Sequence, residues 1–228
     1  MQRSISIVEY EVSQAQFFLE NIAKCGLDFF AVQCFTDAFA STCRSITFSM
    51  QVVMNEVDGF AEWYADRTEL LKKDPLSQFF NAYRNASIHI GDTVVHGGSF
   101  TSIKGSPKTQ YFFLPIQTIL NLPNENVFSV CTIHFTNLLR LVYEAFTMSR
   151  YRLDDRWYYT EGNFRRMGKS LEDAVEEHGF PREWLSRTSQ LAEVEKWRAL
   201  RRSQTVGCQL NDAFRSYLDK IISGPDDK

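Results

Sequence analysis

The segment from Arg84 to His89 holds the residue types in this chain that best combine into a chemical site. It places a permanent cation (Arg84), an amide (Asn85) and a side chain that titrates near neutral pH (His89) within little more than one helical turn. On a helix, His89 shares a face with Asn85, and Arg84 flanks them. A guanidinium that binds phosphate beside an imidazole that moves protons is a minimal set for cleaving a phosphodiester without a metal.

The same spacing also has a purely structural interpretation. With sixteen arginines and four histidines among 228 residues, an arginine four to six positions before a histidine can arise by chance. An amphipathic helix with a polar outer face explains the spacing at least as well. The other three histidines (His96, His134 and His178) have no arginine at that distance upstream, so the context of the pair has to decide between the two interpretations.

A helix of its own is expected to carry this segment. Asp74 suits the N-cap, Pro75 suits the first turn, where its missing N–H does no harm, and Gly91 is typical of a helix end. The residues predicted to share the apolar stripe are Leu76, Phe79, Phe80, Tyr83, Ser87 and Ile90. The residues predicted to lie on or near the other side are Asn81, Arg84, Asn85 and His89. The pattern therefore predicts that the polar segment faces solvent or a partner surface.

Long helices are predicted before and after this segment. Apolar residues recur at helical spacing over 29–57, 58–72 and 124–148, and a shorter helix is expected over 13–24, ended by Gly26. The remaining predictions are a strand or ordered arm over 1–12, a β-hairpin over 93–114 with its turn at 104–107, short helices over 170–178, 181–187, 190–203 and 211–222, and a disordered tail over 224–228. The chain is therefore expected to be mainly α, with a small β-hairpin insertion and a helical C-terminal extension.

The composition is that of an ordinary globular chain with a high aromatic content. Hydrophobic residues make up 44% and charged residues 23%, and 19 Phe, 9 Tyr and 4 Trp favour a bulky core. The net charge of −3 excludes the overall basic field that marks many nucleic-acid-binding proteins. Arginines nevertheless cluster over 150–166 and 198–202, where solvated helix faces are the simpler interpretation for most of them.

The cysteines and the absence of familiar motifs limit the chemistry further. The five cysteines have no metal-ligand spacing and are interpreted as mostly buried hydrophobes of a reducing compartment: Cys25, Cys34, Cys43, Cys131 and Cys208. No signal peptide or membrane-spanning run is recognised, so a cytoplasmic protein without a membrane partner is expected. No phosphate loop, nucleophile elbow or metal motif is found, and neither a cofactor nor a metal is expected. His134 is interpreted as a hydrogen-bonded core residue and His178 as a helix-end residue.

The Arg-Asn-x-x-x-His segment, set between long apolar helices and followed by a β-insertion, resembles the HEPN superfamily (higher eukaryotes and prokaryotes nucleotide-binding). The hallmark of that superfamily is an arginine and, after four to six residues, a histidine, often with a polar residue directly after the arginine. Here the matching residues are Arg84, Asn85 and His89. The resemblance implies an up-and-down helical bundle over about 13–150, with 151–228 as an Arg-rich helical extension of unknown role.

The resemblance also implies a function, namely metal-independent endoribonuclease activity at a composite site between the two subunits of a homodimer. His89 would handle the proton of the 2′-hydroxyl or of the leaving 5′-oxygen, Arg84 would stabilise charge on the scissile phosphate, and Asn85 would orient either partner. The further residues expected to bind RNA are Arg44, Arg150 and Arg152. Because many members are toxins or antiphage effectors, an antitoxin or a sensor protein is a further candidate partner.

Two alternatives to this function stay open. One is a non-catalytic HEPN-like helical module that binds a protein partner, and the other is a site that holds a nucleotide phosphate without cleaving it. The chain also departs from one branch of the superfamily, the toxins paired with nucleotidyltransferases, because Gly91 stands where that branch has a tyrosine. The chain is therefore not assigned to that branch.

Overall fold

Helices dominate the computed structural model, which describes residues 5–87, 94–103, 106–115, 119, 121–181, 183–203 and 208–227. Within these ranges the helices are α1 (Ser6–Lys24), α2 (Phe29–Met54), α3 (Phe60–Lys73), α4 (Pro75–Asn85), α5 (Val127–Leu153), α6 (Asp155–Tyr158), α7 (Glu161–Arg166), α8 (Leu171–Glu177), α9 (Glu183–Arg187), α10 (Glu193–Ser203) and α11 (Asn211–Leu218). The two strands are β1 (Val95–Ile103) and β2 (Ser106–Phe113), which pair antiparallel. The predicted mainly α class with one small hairpin is confirmed.

Local capping signals set several helix starts. The Asp28 carboxylate accepts a hydrogen bond from the Ala31 N–H (2.9 Å) at the start of α2, and Asp74 does the same for Ser77 (2.8 Å) in α4. Gly26 adopts a positive φ of 56° directly after the end of α1, a conformation that L side chains rarely adopt. These starts and stops lie where the sequence predicts them because each depends only on neighbouring residues.

The prediction of a strand or arm over 1–12 is wrong for residues 6–12, which form the first turns of α1. Val8, Val12, Ala15 and Leu19 recur every three or four residues and are all buried against the bundle. The short alternation at the N-terminus is therefore part of a helical period. Residues 1–4 lie outside the described residues.

One large core joins α1, α2, α4, α5 and α11. The Phe39 ring of α2 lies 5.9 Å from Phe80 of α4 and 6.4 Å from Phe135 of α5. From the C-terminal region, Phe214 of α11 meets Tyr143 of α5 with ring centroids 5.2 Å apart. The end of the chain thus returns to the bundle that α1 begins.

A second, smaller core lies in the region from α6 to α10. Its buried members are Tyr159, Phe164, Ala174, Val175, Trp197 and Leu200. The C-terminal tail contacts this region: Asp226 accepts a hydrogen bond from Arg201 (2.7 Å), and Asp227 lies 3.4 Å from Arg156. The prediction of a disordered tail is therefore wrong for residues 224–227, because its two aspartates are bound by arginines from other elements.

The β-hairpin packs on α4 through a buried aromatic side chain of β2. Phe113 lies 4.8 Å from the Phe79 ring and 5.6 Å from the Tyr83 ring. The strands pair up to Ile103 with Ser106, so the prediction of a turn over 104–107 is wrong for 106 and 107, which belong to β2. Residues 104 and 105 lie outside the described residues. The hairpin thus covers the apolar stripe of the helix that carries Arg84.

Within the described residues, none of the helices combines the length and apolarity needed to cross a membrane. All five cysteines are free thiols. Cys43 and Cys131 are buried, and burial raises the pKa of each thiol. Cys34 is exposed and the other two are half-buried, so the interpretation of the cysteines as mostly buried hydrophobes holds for two of them.

Candidate anion-binding cleft

Helix α4 places Arg84 close to the C-terminal end of the helix. The helix begins at Pro75 after the Asp74 cap, as predicted, and its regular part ends at Asn85. Of the predicted apolar stripe, Phe79, Phe80 and Tyr83 are buried, whereas Leu76 and Ser87 are half-buried. His89, Ile90 and Gly91 lie outside the described residues, so the geometry of the predicted Arg84–His89 pair stays a prediction.

Arg84 lines a cleft of about 350 Å³ between four helices. The cleft residues of α2 are Ala40, Cys43, Arg44 and Thr47; those of α3 are Tyr64, Thr68, Leu71 and Lys72; those of α4 are Ser77, Gln78, Phe80, Asn81 and Arg84; and those of α5 are His134 and Leu138. The expectation that this side of α4 faces solvent or a partner holds for the exposed Asn81 and Asn85. It does not hold for Arg84, which is half-buried inside the chain's own helices.

Arg44 and Arg84 bring two cations without a carboxylate partner to this cleft. The Arg84 side chain makes no hydrogen bond or ion pair with any other described residue. Arg44 lies 3.4 Å from the Thr47 hydroxyl and stacks 4.3 Å over the Phe48 ring, and none of the described carboxylates pairs with it. Lys72, in contrast, pairs with Glu69 at 2.7 Å. The two guanidinium groups are therefore available for an anion, and planar guanidinium groups match phosphate and carboxylate geometry.

His134 lies on the α5 wall of the same cleft and is only 7% exposed. Its imidazole stacks on Phe80 with centroids 4.1 Å apart, and its buried Nδ1 has no hydrogen-bond partner within the described chain. Burial lowers the pKa of His134 to about 4, although the Asp74 carboxylate acts in the opposite direction. The ring is therefore neutral at physiological pH. The prediction that His134 is a core residue is right, but the expected hydrogen bond is missing at Nδ1.

A partly buried hydrogen bond anchors the helix turn that carries Arg84. The Tyr83 hydroxyl donates to Asp37 Oδ1 of α2 at 2.6 Å. Burial, together with the negative charge of Asp37, raises the pKa of Tyr83, so the phenol stays protonated and keeps donating. Since Tyr83 precedes Arg84, this bond ties the end of α4 to the helix that carries Arg44. It positions the two cleft arginines relative to each other.

The other two arginines expected to bind RNA do not line the cleft. Arg152 pairs with Glu56 at 3.2 Å. Arg150 instead belongs to a basic-aromatic patch, which we define as Arg150, Tyr151, Trp157 and Arg166. The Arg150 guanidinium lies 4.5 Å from the centroid of the Trp157 ring, and the Arg166 guanidinium lies 4.4 Å from the centroid of the Tyr151 ring. The predicted substrate arginines thus divide between the cleft, the patch and one surface ion pair.

The histidine of the C-terminal region is a helix-end residue, as predicted. His178 is the C-cap of α8, and its ring stacks on Phe180 with centroids 4.4 Å apart. Among the described residues, no group of three or more His, Cys, Asp or Glu side chains could hold a metal ion.

Sequence reasoning selected Arg84 and Arg44 but not the cleft that joins them, and it did not treat His134 as a site residue. The only sequence signal for His134 is a titratable side chain on an otherwise apolar helix face, which core histidines also give. Comparison of the chain with protein-family models, with curated proteins and with solved structures found no match.

Proposed function

We propose that this chain is a metal-independent endoribonuclease of the HEPN type, acting as a homodimer in the cytoplasm. The observation that carries the proposal is the position of Arg84. The residue is half-buried, its guanidinium has no carboxylate partner among the described residues, and it shares a cleft with Arg44, an exposed arginine that also lacks such a partner. An arginine that only ordered the helix end would be expected to bond to a carboxylate or to a backbone carbonyl of its own helix.

The two cleft arginines and His89 have complementary roles in this reaction. Arg84 and Arg44 hold the non-bridging oxygens of the scissile phosphate and stabilise the charge that develops on them. His89 takes the proton of the 2′-hydroxyl or gives a proton to the leaving 5′-oxygen, and Asn85 orients His89 or the phosphate. Because cleavage benefits from both an acid and a base, the partner subunit supplies the second copy of the set. Dependence on the 2′-hydroxyl restricts the reaction to RNA.

The basic-aromatic patch is a second contact for the same substrate. Aromatic rings stack on exposed bases and arginines bind the phosphates between them, which is how many proteins hold single-stranded nucleic acid. Neither Arg150 nor Arg166 forms an ion pair with a described carboxylate, whereas the neighbouring Arg165 pairs with Glu161. We assign RNA binding to Arg150 on this basis. Arg152 has a smaller role, because its charge is already matched by Glu56.

The test is cleavage of single-stranded RNA by the purified chain in EDTA. We expect products with 2′,3′-cyclic phosphate ends, and we expect Arg84→Ala and His89→Ala each to reduce the rate by at least about a hundredfold. Arg140→Ala is the matched control, because Arg140 is an exposed arginine of α5 that lies outside the cleft and donates a hydrogen bond to Asn137 at 2.8 Å. Absence of cleavage by the wild type, or full activity in His89→Ala, would refute the proposal. Sedimentation equilibrium tests the dimer separately.

A second candidate function is favoured by the position of the cleft inside a single chain. A site formed by α2, α3, α4 and α5 of one subunit can hold a nucleotide phosphate without a partner subunit and without cleavage. The chain would then be a non-catalytic binding module. In that case a nucleotide raises the melting temperature of the protein, while RNA stays intact in the cleavage assay.

A further inference from the structure

The inner wall of the cleft carries a polar group that the helices themselves leave unused. His134 is buried and uncharged, and its Nδ1 has no hydrogen-bond partner in the described part of the chain. Most buried polar atoms in folded proteins have such a partner, because a group that has lost water without replacing it destabilises the fold. A neutral imidazole in a ligand cleft offers one donor and one acceptor. His134 is therefore suited to hydrogen-bond a neutral polar group of a ligand.

The arginines of the cleft favour an anionic group, whereas His134 favours a neutral one. Arg44 is exposed and Arg84 is half-buried, whereas His134 is almost fully buried, so the cations lie nearer to solvent than the imidazole does. A ligand that binds both the arginines and His134 must carry an anionic group on its outer end and a neutral hydrogen-bonding group on its inner end. Inorganic phosphate or a simple carboxylate satisfies only the first requirement.

The walls between these two ends favour a flat ring. Phe80, Leu71, Leu138 and the Tyr64 ring supply apolar and aromatic surface, and several amide and hydroxyl groups lie among them. The volume of about 350 Å³ is within the range of about 300–1,000 Å³ that is typical of small-molecule sites. The Tyr64 hydroxyl is held by Gln51, which donates to it at 3.0 Å, so this wall is ordered before a ligand enters.

We propose that the cleft binds one nucleotide, with its phosphate at Arg44 and Arg84 and its base against His134. This inference rests on the proposed function, because only the ribonuclease activity identifies RNA as the source of the nucleotide. It assigns the cleft to a single base of the substrate and makes His134 a specificity residue, since a base that offers no suitable donor or acceptor leaves the imidazole unpaired.

Binding is tested with the full chain by calorimetry and thermal unfolding, using AMP, CMP, GMP and UMP individually and inorganic phosphate as the anion without a base. We expect at least one nucleotide to bind about tenfold or more tightly than phosphate. That nucleotide should raise the melting temperature by about 5 °C or more when its concentration is a hundred times the dissociation constant. Equal affinity for phosphate and for every nucleotide, or no binding of any probe, would overturn the inference.

The His134→Phe variant separates recognition from stability. Phenylalanine keeps a flat ring against Phe80 but removes both nitrogens, so the free protein should melt about 2–4 °C higher than wild type. The same variant should bind the preferred nucleotide about tenfold more weakly and bind phosphate unchanged. A purely structural histidine would leave nucleotide affinity unchanged, and that result would refute the assignment.

The arginine variants and the cleavage assay complete the test. Arg44→Ala and Arg84→Ala should each weaken both nucleotide and phosphate binding by about 10–100-fold, while Arg140→Ala should change neither. RNA cleavage without binding of any mononucleotide would overturn this inference and leave the proposed function standing. Nucleotide binding that depends on His134, in a protein that does not cleave RNA, would overturn the ribonuclease proposal and leave this inference standing.

Discussion

Replacing His134 should change how the stability of the protein depends on pH. Burial lowers the pKa of His134 in the folded protein from 6.5 to about 4, whereas in the unfolded chain the imidazole is in water and titrates near 6.5. Between these two values the unfolded chain binds a proton that the folded protein does not. The contribution that the neutral His134 makes to the unfolding free energy is therefore fully present above pH 6.5 and is lost as the pH falls towards about 4.

The size of the effect follows from the two pKa values. A fall from 6.5 to about 4 corresponds to about 3 kcal/mol of unfolding free energy lost across this interval. For a chain of 228 residues that loss lowers the melting temperature by roughly 6–12 °C. Burial also raises the pKa values of other groups, among them Glu9 and Asp155. They contribute equally to wild type and variant, so the difference between the two proteins isolates His134.

The measurement is urea unfolding of wild type and His134→Phe, followed by circular dichroism at several pH values between about 7 and about 4. We expect the stability of the wild type relative to the variant to fall by about 3 kcal/mol over this range and to be constant above it. Parallel curves for the two proteins would show that His134 is not held neutral by burial. The assignment of His134 as a buried, uncharged wall of the cleft would then be wrong.

Two other predictions concern the support of Arg84 and the basic-aromatic patch. Tyr83→Phe removes the donor to Asp37 and should lower the unfolding free energy, measured by urea unfolding, by about 1.5–3 kcal/mol. The control Tyr10→Phe, at an exposed tyrosine of α1, should leave the unfolding free energy unchanged. Equal stability of the two variants would contradict the anchoring role of Tyr83. Replacing both Arg150 and Arg166 by alanine should weaken binding of single-stranded RNA. It should also reduce the salt dependence of binding by about 1.4 in the log–log slope, as measured by fluorescence anisotropy. The control Arg165→Ala, whose arginine is already paired with Glu161, should change that slope little, and an unchanged slope in the double variant would rule out phosphate contacts at the patch.

The parts of the fold that the sequence predicts well depend on neighbouring residues. Asp74 and Pro75 start α4 because the cap hydrogen bond reaches only to Ser77. The long helices α2 and α5 follow from an apolar period that continues for more than twenty residues without Gly or Pro. The β-hairpin follows from two β-rich runs on either side of a Lys-Gly-Ser-Pro segment, although the last two residues of that segment belong to β2.

The wrong predictions concern segments whose partners are distant in sequence. The N-terminal turns of α1 are fixed partly by Glu9, which accepts a hydrogen bond from the Gln209 N–H at 3.2 Å, two hundred residues later. The C-terminal tail is held by Asp226 on Arg201. Each segment on its own has a weak or polar pattern that also fits a strand or a disordered tail. Its structure depends on contacts that no local pattern records.

The candidate cleft could not be predicted from the sequence for the same reason, because its residues come from helices that are distant in sequence. Arg44 and Arg84 are forty residues apart, and they share the cleft only because residues of α2, α3, α4 and α5 line it together. Helical periodicity separates an apolar from a polar side, but it does not show whether a third helix covers the polar side. For His134 the apolar surroundings predict burial correctly, yet the hydrogen-bonding state of Nδ1 depends on atoms from other helices. Among the described residues, a buried histidine whose Nδ1 lacks a hydrogen-bond partner and two arginines without a carboxylate partner line one cleft. Together they favour a ligand site more strongly than each residue does alone.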